Sequence, residues 1–363
     1  MTGVQTCALP IFFVRNSQPK TTESIKIGAL LPSLTGDLVA NREKMINGVE
    51  LAKEDITAKY KGHITVDIDY EDGCFEKETV PAVQKFINNG VSIIGVSFCL
   101  FGHIPILPMT EGNKIITFNT AANPDVTLNL HYAFSTNIEI KDEAQKISEF
   151  AYTKLGARRA VIMYIDTPFG HDYSKYFTRN FTSRGGQMLM NFPNVPDGKE
   201  FGTTIAQIKA LNPDVIITAH FGVPLGIFIR EVRKAGVLVP IVGNYETEDL
   251  TVLEYASTAA EGVMFSSSEL TEKTVAMKAF ETRYVRKYGV EPGVIATNSY
   301  DDIHLAVESF LQCHGERDCM ANKLHKIKDY QGASGNITIK PSGATDKPTI
   351  FKIIKNRTFI RYE

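Results

Sequence analysis

Short apolar runs alternate with longer amphipathic stretches along almost the whole chain. The run IKIGALLP (25–32) reads as a buried strand. Beyond Thr35-Gly36, Met45, Val49, Leu51 and Ile56 recur on a helical rhythm. ITVDIDY (64–70) alternates strictly, with Ile64, Val66, Ile68 and Tyr70 on one face of a strand. VPAVQKFINNG (80–90) predicts a helix that aligns Val80, Val83 and Ile87 and stops at Asn-Gly. VSIIGVSF (91–98) and KIITFN (114–119) are strands again.

The rhythm then repeats. DEAQKISEFAYTKLG (142–156) reads as a helix, RAVIMYID (159–166) as a strand, and the stretch from Gly170 to Gly186 as a helix closed by two glycines. TIAQIKALNPDVIITAH (204–220) and PLGIFIREVRKAGVLVPIVGN (224–244) each read helix, turn, strand. The stretches 83–96 and 205–219 look like equivalent units, one in each half. Strand–helix alternation of this length predicts parallel sheets covered by helices on both faces, here two of them. Ligands of such sheets bind beyond the carboxyl ends of the strands. The loops to read are therefore 32–37, 99–103, 119–125, 166–172, 220–224 and 244–249. They are rich in small residues, which let backbone N–H groups approach a ligand, and in aromatics, which supply walls.

The opening MTGVQTCALPI fits none of this. Residues 1–11 back-translate, codon by codon, to a widely used sequencing-adapter oligonucleotide with GTG read as a start, and are expected to pack on nothing. Residues 12–23 are then a linker or the remnant of a lost N-terminus. The remaining chain, roughly 350 residues, exceeds one comfortable core and predicts two domains. Hydrophobic content of 43% and charge of 22% are ordinary for a globular protein. A formal net charge of −2 without a basic block argues against nucleic-acid or anionic-membrane partners. No 18-residue apolar run is present.

Beyond Cys7 the cysteines are Cys74, Cys99, Cys313 and Cys319, a set that fits disulfides in an oxidising compartment, with free thiols as the alternative. Cys313 and Cys319 fall in CHGERDC, a polar loop suited to a surface staple, and the spacing is wrong for zinc. The chain has no GxGxxG, no GxxxxGK[ST] and no GxSxG, so the reading is a binder rather than an enzyme, without cofactor or metal. His103, His171 and His220 fall in post-strand loops but form no ligand set, and DIDYEDG (67–73) has its glycine one position late for a calcium loop.

Several stretches, in order, resemble the type I periplasmic solute-binding proteins of ABC transporters, in the branched-chain amino-acid (Leu/Ile/Val) branch. They are IKIGALLPSLTGD, NGVELAKEDI, the segment from Tyr70 to Cys99, FNTAANPDVT, MYIDTPFGHDYSKYF and NSYDDIHLAVESF, and the resemblance spans residues 24–363. It implies an α/β fold of two Rossmann-like, doubly wound lobes joined by a three-crossing hinge. Lobe one would comprise 24–137 and 267–347, and lobe two 138–266 and 348–363. It also implies a disulfide between Cys74 and Cys99, matching the family's first-lobe pair. The implied protein is a monomer, periplasmic or extracellular, with tethering through a lost signal or lipid anchor left open. It holds a small-molecule ligand between the lobes and delivers it to an ABC permease. A ligand-sensing domain of a membrane receptor is the alternative.

The resemblance places Ser33, Thr35, Leu100, Phe101, Ala121 and Ala122 on the first wall of the cleft, with Tyr300 and Asp301 at the start of the returning helix. Phe169, Phe221, Tyr245 and Glu246 form the opposing wall. Amino-acid binders of this branch hold the α-carboxylate with hydroxyls where this chain has Leu100 and Ala122. Phe169 stands where the family often has tyrosine, and Glu246 is one position out of register with the family's ammonium partner. The implied ligand is therefore less polar or aromatic rather than leucine itself.

Overall fold

The computed structural model describes residues 23–32, 38–61, 63–268 and 273–362. The expected adapter segment 1–11, the stretch 12–22, and the candidate positions Ser33 and Thr35 lie outside the described residues. The chain begins with β1 (Glu23–Leu31), α1 (Leu38–Lys59), β2 (Ile64–Asp72), α2 (Glu76–Asn88), β3 (Ile93–Ser97), α3 (Leu100–His103), α4 (Leu107–Gly112), β4 (Ile116–Asn119) and β5 (Ala133–Ser135). It continues through α5 (Ile140–Thr153), β6 (Arg159–Ile165), α6 (Pro168–Ser183), β7 (Gln187–Asn194), α7 (Gly202–Leu211), β8 (Val215–Ala219), α8 (Gly222–Lys234), β9 (Ile241–Gly243), α9 (Leu250–Ala256) and β10 (Met264–Ser267). The last third holds α10 (Val275–Tyr288), α11 (Gly293–Cys313), α12 (Arg317–Leu324), β11 (Tyr330–Gly332), β12 (Gly335–Ile339), β13 (Thr345–Asp346), β14 (Ile350–Lys355) and β15 (Thr358–Arg361).

Two large sheets result. The first has the order β2-β1-β3-β4-β5 and is parallel throughout. The second has the order β15-β14-β10-β9-β8-β6-β7, parallel from β7 to β10, with β14 and β15 added antiparallel at the edge. A small antiparallel sheet of β11, β12 and β13 accompanies the first. Such parallel sheets need apolar residues on both faces, and β6 shows how the sequence meets this. Val161 and Met163 join a core built with α7, α8 and α9, whereas Ala160 and Ile162 join one built with α5 and α6. In the first lobe Ile27 and Ala29 face α1 and α11, while Leu30 faces Val83 and Phe86 of α2. Each fully buried Val, Leu, Ile, Phe or Met side chain among these stabilises its lobe by roughly 1.5–3 kcal/mol before the entropy of ordering is subtracted. Gly48 allows α1 to lie directly on α11, because a Cβ there would collide with the Ala296 carbonyl oxygen.

The chain passes from the first sheet to the second between Ser135 and Ile140, returns between Ser267 and Val275, and passes again between Asp346 and Ile350. Two of these crossings are tied to α11 by buried polar groups. Thr136 donates to Asp302 at 2.6 Å, and the Lys347 ammonium donates to Asn298 and Ser334 at 2.9 Å each. Burial pulls Lys347 down to about 8, against the opposing pull of Asp301 and Asp302. Lys340, after β12, pairs with Glu139 at 2.9 Å and also with Asp142, joining the first lobe to the first crossing and the start of α5.

Cys74 and Cys99 are bonded, as are Cys313 and Cys319, with Cα separations of 4.7 and 5.7 Å. The first pair joins the end of β2 to the end of β3; the second joins the last residue of α11 to α12. A bridge closing 25 residues of chain stabilises the fold by about 3 kcal/mol in the chain-entropy account. Peptide mapping without reductant should recover Cys74 joined to Cys99, and the Cys74→Ser/Cys99→Ser protein should unfold at lower urea by about that amount. Two freely alkylated thiols in oxidised, folded protein would contradict the pairing.

Candidate functional site

The loops at the carboxyl ends of the two parallel sheets meet between the lobes. Asn123, beyond β4, donates its side-chain N–H to Asp172 of α6 at 2.7 Å. Its Oδ1 accepts from Asp125 N at 2.8 Å, so the NPD turn holds the amide in place. Asn137, in the first crossing, donates to Thr120 O at 2.8 Å and to the Tyr245 hydroxyl at 3.3 Å. Lys44, on α1, acts electrostatically on Glu246 of the opposite lobe.

On the first wall, Leu100 opens α3 and is half-buried. The Phe101 backbone lies in α3; its side chain is outside the described residues. Ala121 is half-buried, and its N–H donates to Asn119 Oδ1 at 2.5 Å. Ala122 is not an open wall position. It is buried in the second lobe's α5–α6 core, and its carbonyl accepts from Ile140 N at 2.7 Å, which makes it part of the seam at the first crossing.

On the second wall, Phe169 sits in the first turn of α6, half-buried, with its ring 6.0 Å from that of Tyr173. Phe221 caps α8, and its N–H donates to His220 Nδ1 at 2.9 Å. His220 is fully buried, and burial pulls it down to about 4, so it is neutral at pH 7; its Nδ1 also lies 3.1 Å from the Phe221 carbonyl oxygen and its Nε2 3.2 Å from Asn194 Nδ2. Tyr245 and Glu246 form a short turn after β9 and are half-buried. Burial pushes Glu246 up to about 7, assisted by Asp249 and opposed by Tyr245 and Lys44. Near neutral pH this carboxyl can therefore donate or accept a hydrogen bond.

Tyr300 and Asp301 belong elsewhere. The Tyr300 hydroxyl donates to Asp55 of α1 at 2.7 Å, and its ring packs on Phe280 and His304. Asp301 is 1% exposed and accepts from Ala333 N and Ser334 N, both at 2.7 Å. It holds the turn between β11 and β12 rather than facing the other lobe. The resemblance implies a helix that starts at Tyr300 and Asp301 beside the cleft, but α11 starts at Gly293 and carries both residues in its interior, where it packs through the first lobe's core. Conversely, the sequence reading passed over Asn123, Asn137, Glu143 and Asp172. Glu143 had a usable signal: it shares a buried stripe with Ile140, Ala144, Ile147 and Ala151, a carboxylate among apolar positions at helical spacing. Among the described residues no group of three or more His, Cys, Asp or Glu is placed to hold a metal ion, and no helix is long and apolar enough to cross a membrane.

The geometry defines a two-lobed α/β protein in which loops at the strand ends of both lobes meet. The periplasmic binding protein family model matches residues 24–351, and the chain belongs to that family. The Leu/Ile/Val-binding protein of Escherichia coli (strain K12) is 22% identical over 262 residues, which cover 70% of this chain and 71% of that protein. A leucine binding protein from Thermotoga maritima has a similar structure, with a TM-score of 0.82 at 23% identity over 93% of this chain and 98% of that one. A solute binding protein of an ABC transporter from R. palustris, in complex with benzoate, gives a TM-score of 0.81 at 17% identity over 93% and 95% of the two chains. These relatives are solute-binding proteins, and this chain is one as well rather than an enzyme.

Removing the Asp301 carboxylate leaves two buried N–H groups without an acceptor. Asp301→Ala should lower stability to urea by about 2–4 kcal/mol, since hydrogen bonds to a charged acceptor are the strong ones. A variant as stable as the parent would return Asp301 to the list of cleft candidates.

Proposed function

We propose that this protein is the extracytoplasmic substrate-binding component of an ABC importer, and that it captures a small organic acid, amino-acid-like or aromatic, by closing its lobes over the cleft. The observation that carries this reading is the meeting of post-strand loops from both lobes at Asn123–Asp172 and Asn137–Tyr245. The proposed lobes comprise 24–137 with 267–347, and 138–266 with 348–363. The proposed site takes Ser33, Thr35, Leu100, Phe101 and Ala121 from one lobe and Phe169, Phe221, Tyr245 and Glu246 from the other.

The chemistry of those side chains favours a ligand with an apolar or aromatic body. Leu100 supplies no hydroxyl for an α-carboxylate, and Phe169 and Phe221 supply flat apolar surface. Ser and Thr hydroxyls and loop N–H groups would take the acid. Glu246, near its own midpoint at neutral pH, would take a donor such as a phenolic hydroxyl or an amine. The relatives bound to benzoate, 4-hydroxybenzoate and isoleucine bracket this chemistry. Capture is a matter of differential affinity: the ligand stabilises the closed form by as much as it prefers that form over the open one. Delivery to a membrane permease follows from the importer reading, as does a periplasmic or extracellular address.

Native mass spectrometry of gently purified protein should show a retained small molecule. Calorimetry against leucine, isoleucine, benzoate and 4-hydroxybenzoate should then rank the classes, with an aromatic acid bound more tightly than leucine. Phe169→Ala should weaken that binding by about 1–3 kcal/mol, as expected for an aromatic anchor, with little change in melting. Lost stability at unchanged affinity would assign Phe169 to the core around Tyr173 instead.

A further inference from the structure

We propose that Glu143 is a positioning residue of the cleft, whose buried carboxyl fixes the Tyr245–Glu246 wall and, through Tyr245, ties that wall to the first crossing. The inference rests on the cleft as the binding site. Glu143 is fully buried in the first turn of α5. Its Oε1 accepts from Tyr245 N at 2.8 Å and from the Ser266 hydroxyl at the end of β10. The Tyr245 hydroxyl in turn accepts from Asn137, whose amide also donates to Thr120 O beyond β4. One continuous polar chain therefore runs from β10 through Glu143 and Tyr245 to the first lobe. Tyr245 is gripped at both ends, by its backbone N–H and by its hydroxyl, so its ring cannot reorient without breaking a contact to one lobe or the other.

A carboxyl in this place is costly when charged. Burial pushes Glu143 up to about 8 from its ordinary 4.5, so it is mostly protonated at neutral pH. The other titratable groups facing it are Tyr173 on α6, held well above its ordinary value by burial, and Tyr245 and Glu246 beyond β9. Because the folded value is the raised one, the stability that Glu143 contributes is complete below 4.5 and is lost as pH rises through about 8. Glutamine keeps the acceptor oxygen and removes the titration, and so separates positioning from charge.

The test uses amide NMR and hydrogen exchange on the full chain, with benzoate as the binding probe. In the parent, the Tyr245 amide shift should titrate with a midpoint near 8, and Glu143→Gln should abolish that phase while leaving any phase from Glu246 near 7. Glu143→Leu should reduce Tyr245 amide protection by about tenfold or more, and Glu143→Gln should stay within about threefold of the parent. Benzoate affinity should follow the same order, lost in the leucine variant and kept in the glutamine variant. A Tyr245 amide whose shift follows pH identically in the parent and in Glu143→Gln would overturn the proposal even if the leucine variant fails to fold. So would protection unchanged in Glu143→Leu. Failure of the parent to bind benzoate would count against the ligand class alone, and the exchange measurements would still decide the role of Glu143.

Discussion

A parallel sheet sends the carboxyl ends of all its strands to one edge, and this chain builds such a sheet twice, the second time with the antiparallel ribbon of β14 and β15 added at one side. Every strand must then be followed by a connection that returns over a face of the sheet, which is why helices cover both sides and why strands such as β6 are apolar on both faces. Loops that escape this packing requirement gather at the carboxyl edges, where small and aromatic residues are tolerated. With the two edges against each other, loops from both lobes face one another, which is where the proposed site lies. Among the described residues, the Asn123–Asp172 and Asn137–Tyr245 hydrogen bonds are contacts through which those edges touch.

The crossings carry a second constraint. Backbone that leaves one lobe for another has fewer ladder hydrogen bonds, and here buried side chains take their place. Thr136 on Asp302, Lys347 on Asn298 and Ser334, and Lys340 on Glu139 fasten the crossings to the first lobe. A buried charge without a partner costs several kcal/mol, so the Lys347 ammonium has to find its acceptors at the place where the third crossing meets α11 and the β11–β12 turn. Closure in the proposed mechanism would be accommodated in the short lengths of chain between such anchors, while the lobes move as rigid bodies.

The fold was largely legible because its signal is repetition. Alternating apolar runs and helical stripes mark β1 to β4, β6, β8 and β9 and the longer helices among them, and parallel sheets with covered faces follow from that order; β5, β7 and the short α3 and α4 carry no such stripe and went unread. The ribbon of β14 and β15 gave no comparable pattern; its residues alternate weakly and acquire their place only by pairing with β10. The candidate site was legible at the level of loops and less so at the level of side chains. Phe169, Phe221, Tyr245 and Glu246 lie in the loops that periodicity singled out. Tyr300 and Asp301 entered the candidate site through the family resemblance, yet tertiary partners on α1 and at the β11–β12 turn claim both. Glu143 was hidden for the opposite reason. An acidic residue in the first turn of a helix is commonplace, and only the apolar stripe around it distinguishes a buried carboxyl from a solvated one.

The central claim is that two lobes close over a small solute held between their strand ends. Small-angle X-ray scattering of the purified protein, first emptied by mild denaturation and refolding and then saturated with an acid that calorimetry shows to bind, measures that directly. Closure predicts a smaller radius of gyration and a shorter maximum dimension in the loaded protein. Superimposable scattering curves for empty and loaded protein would contradict it.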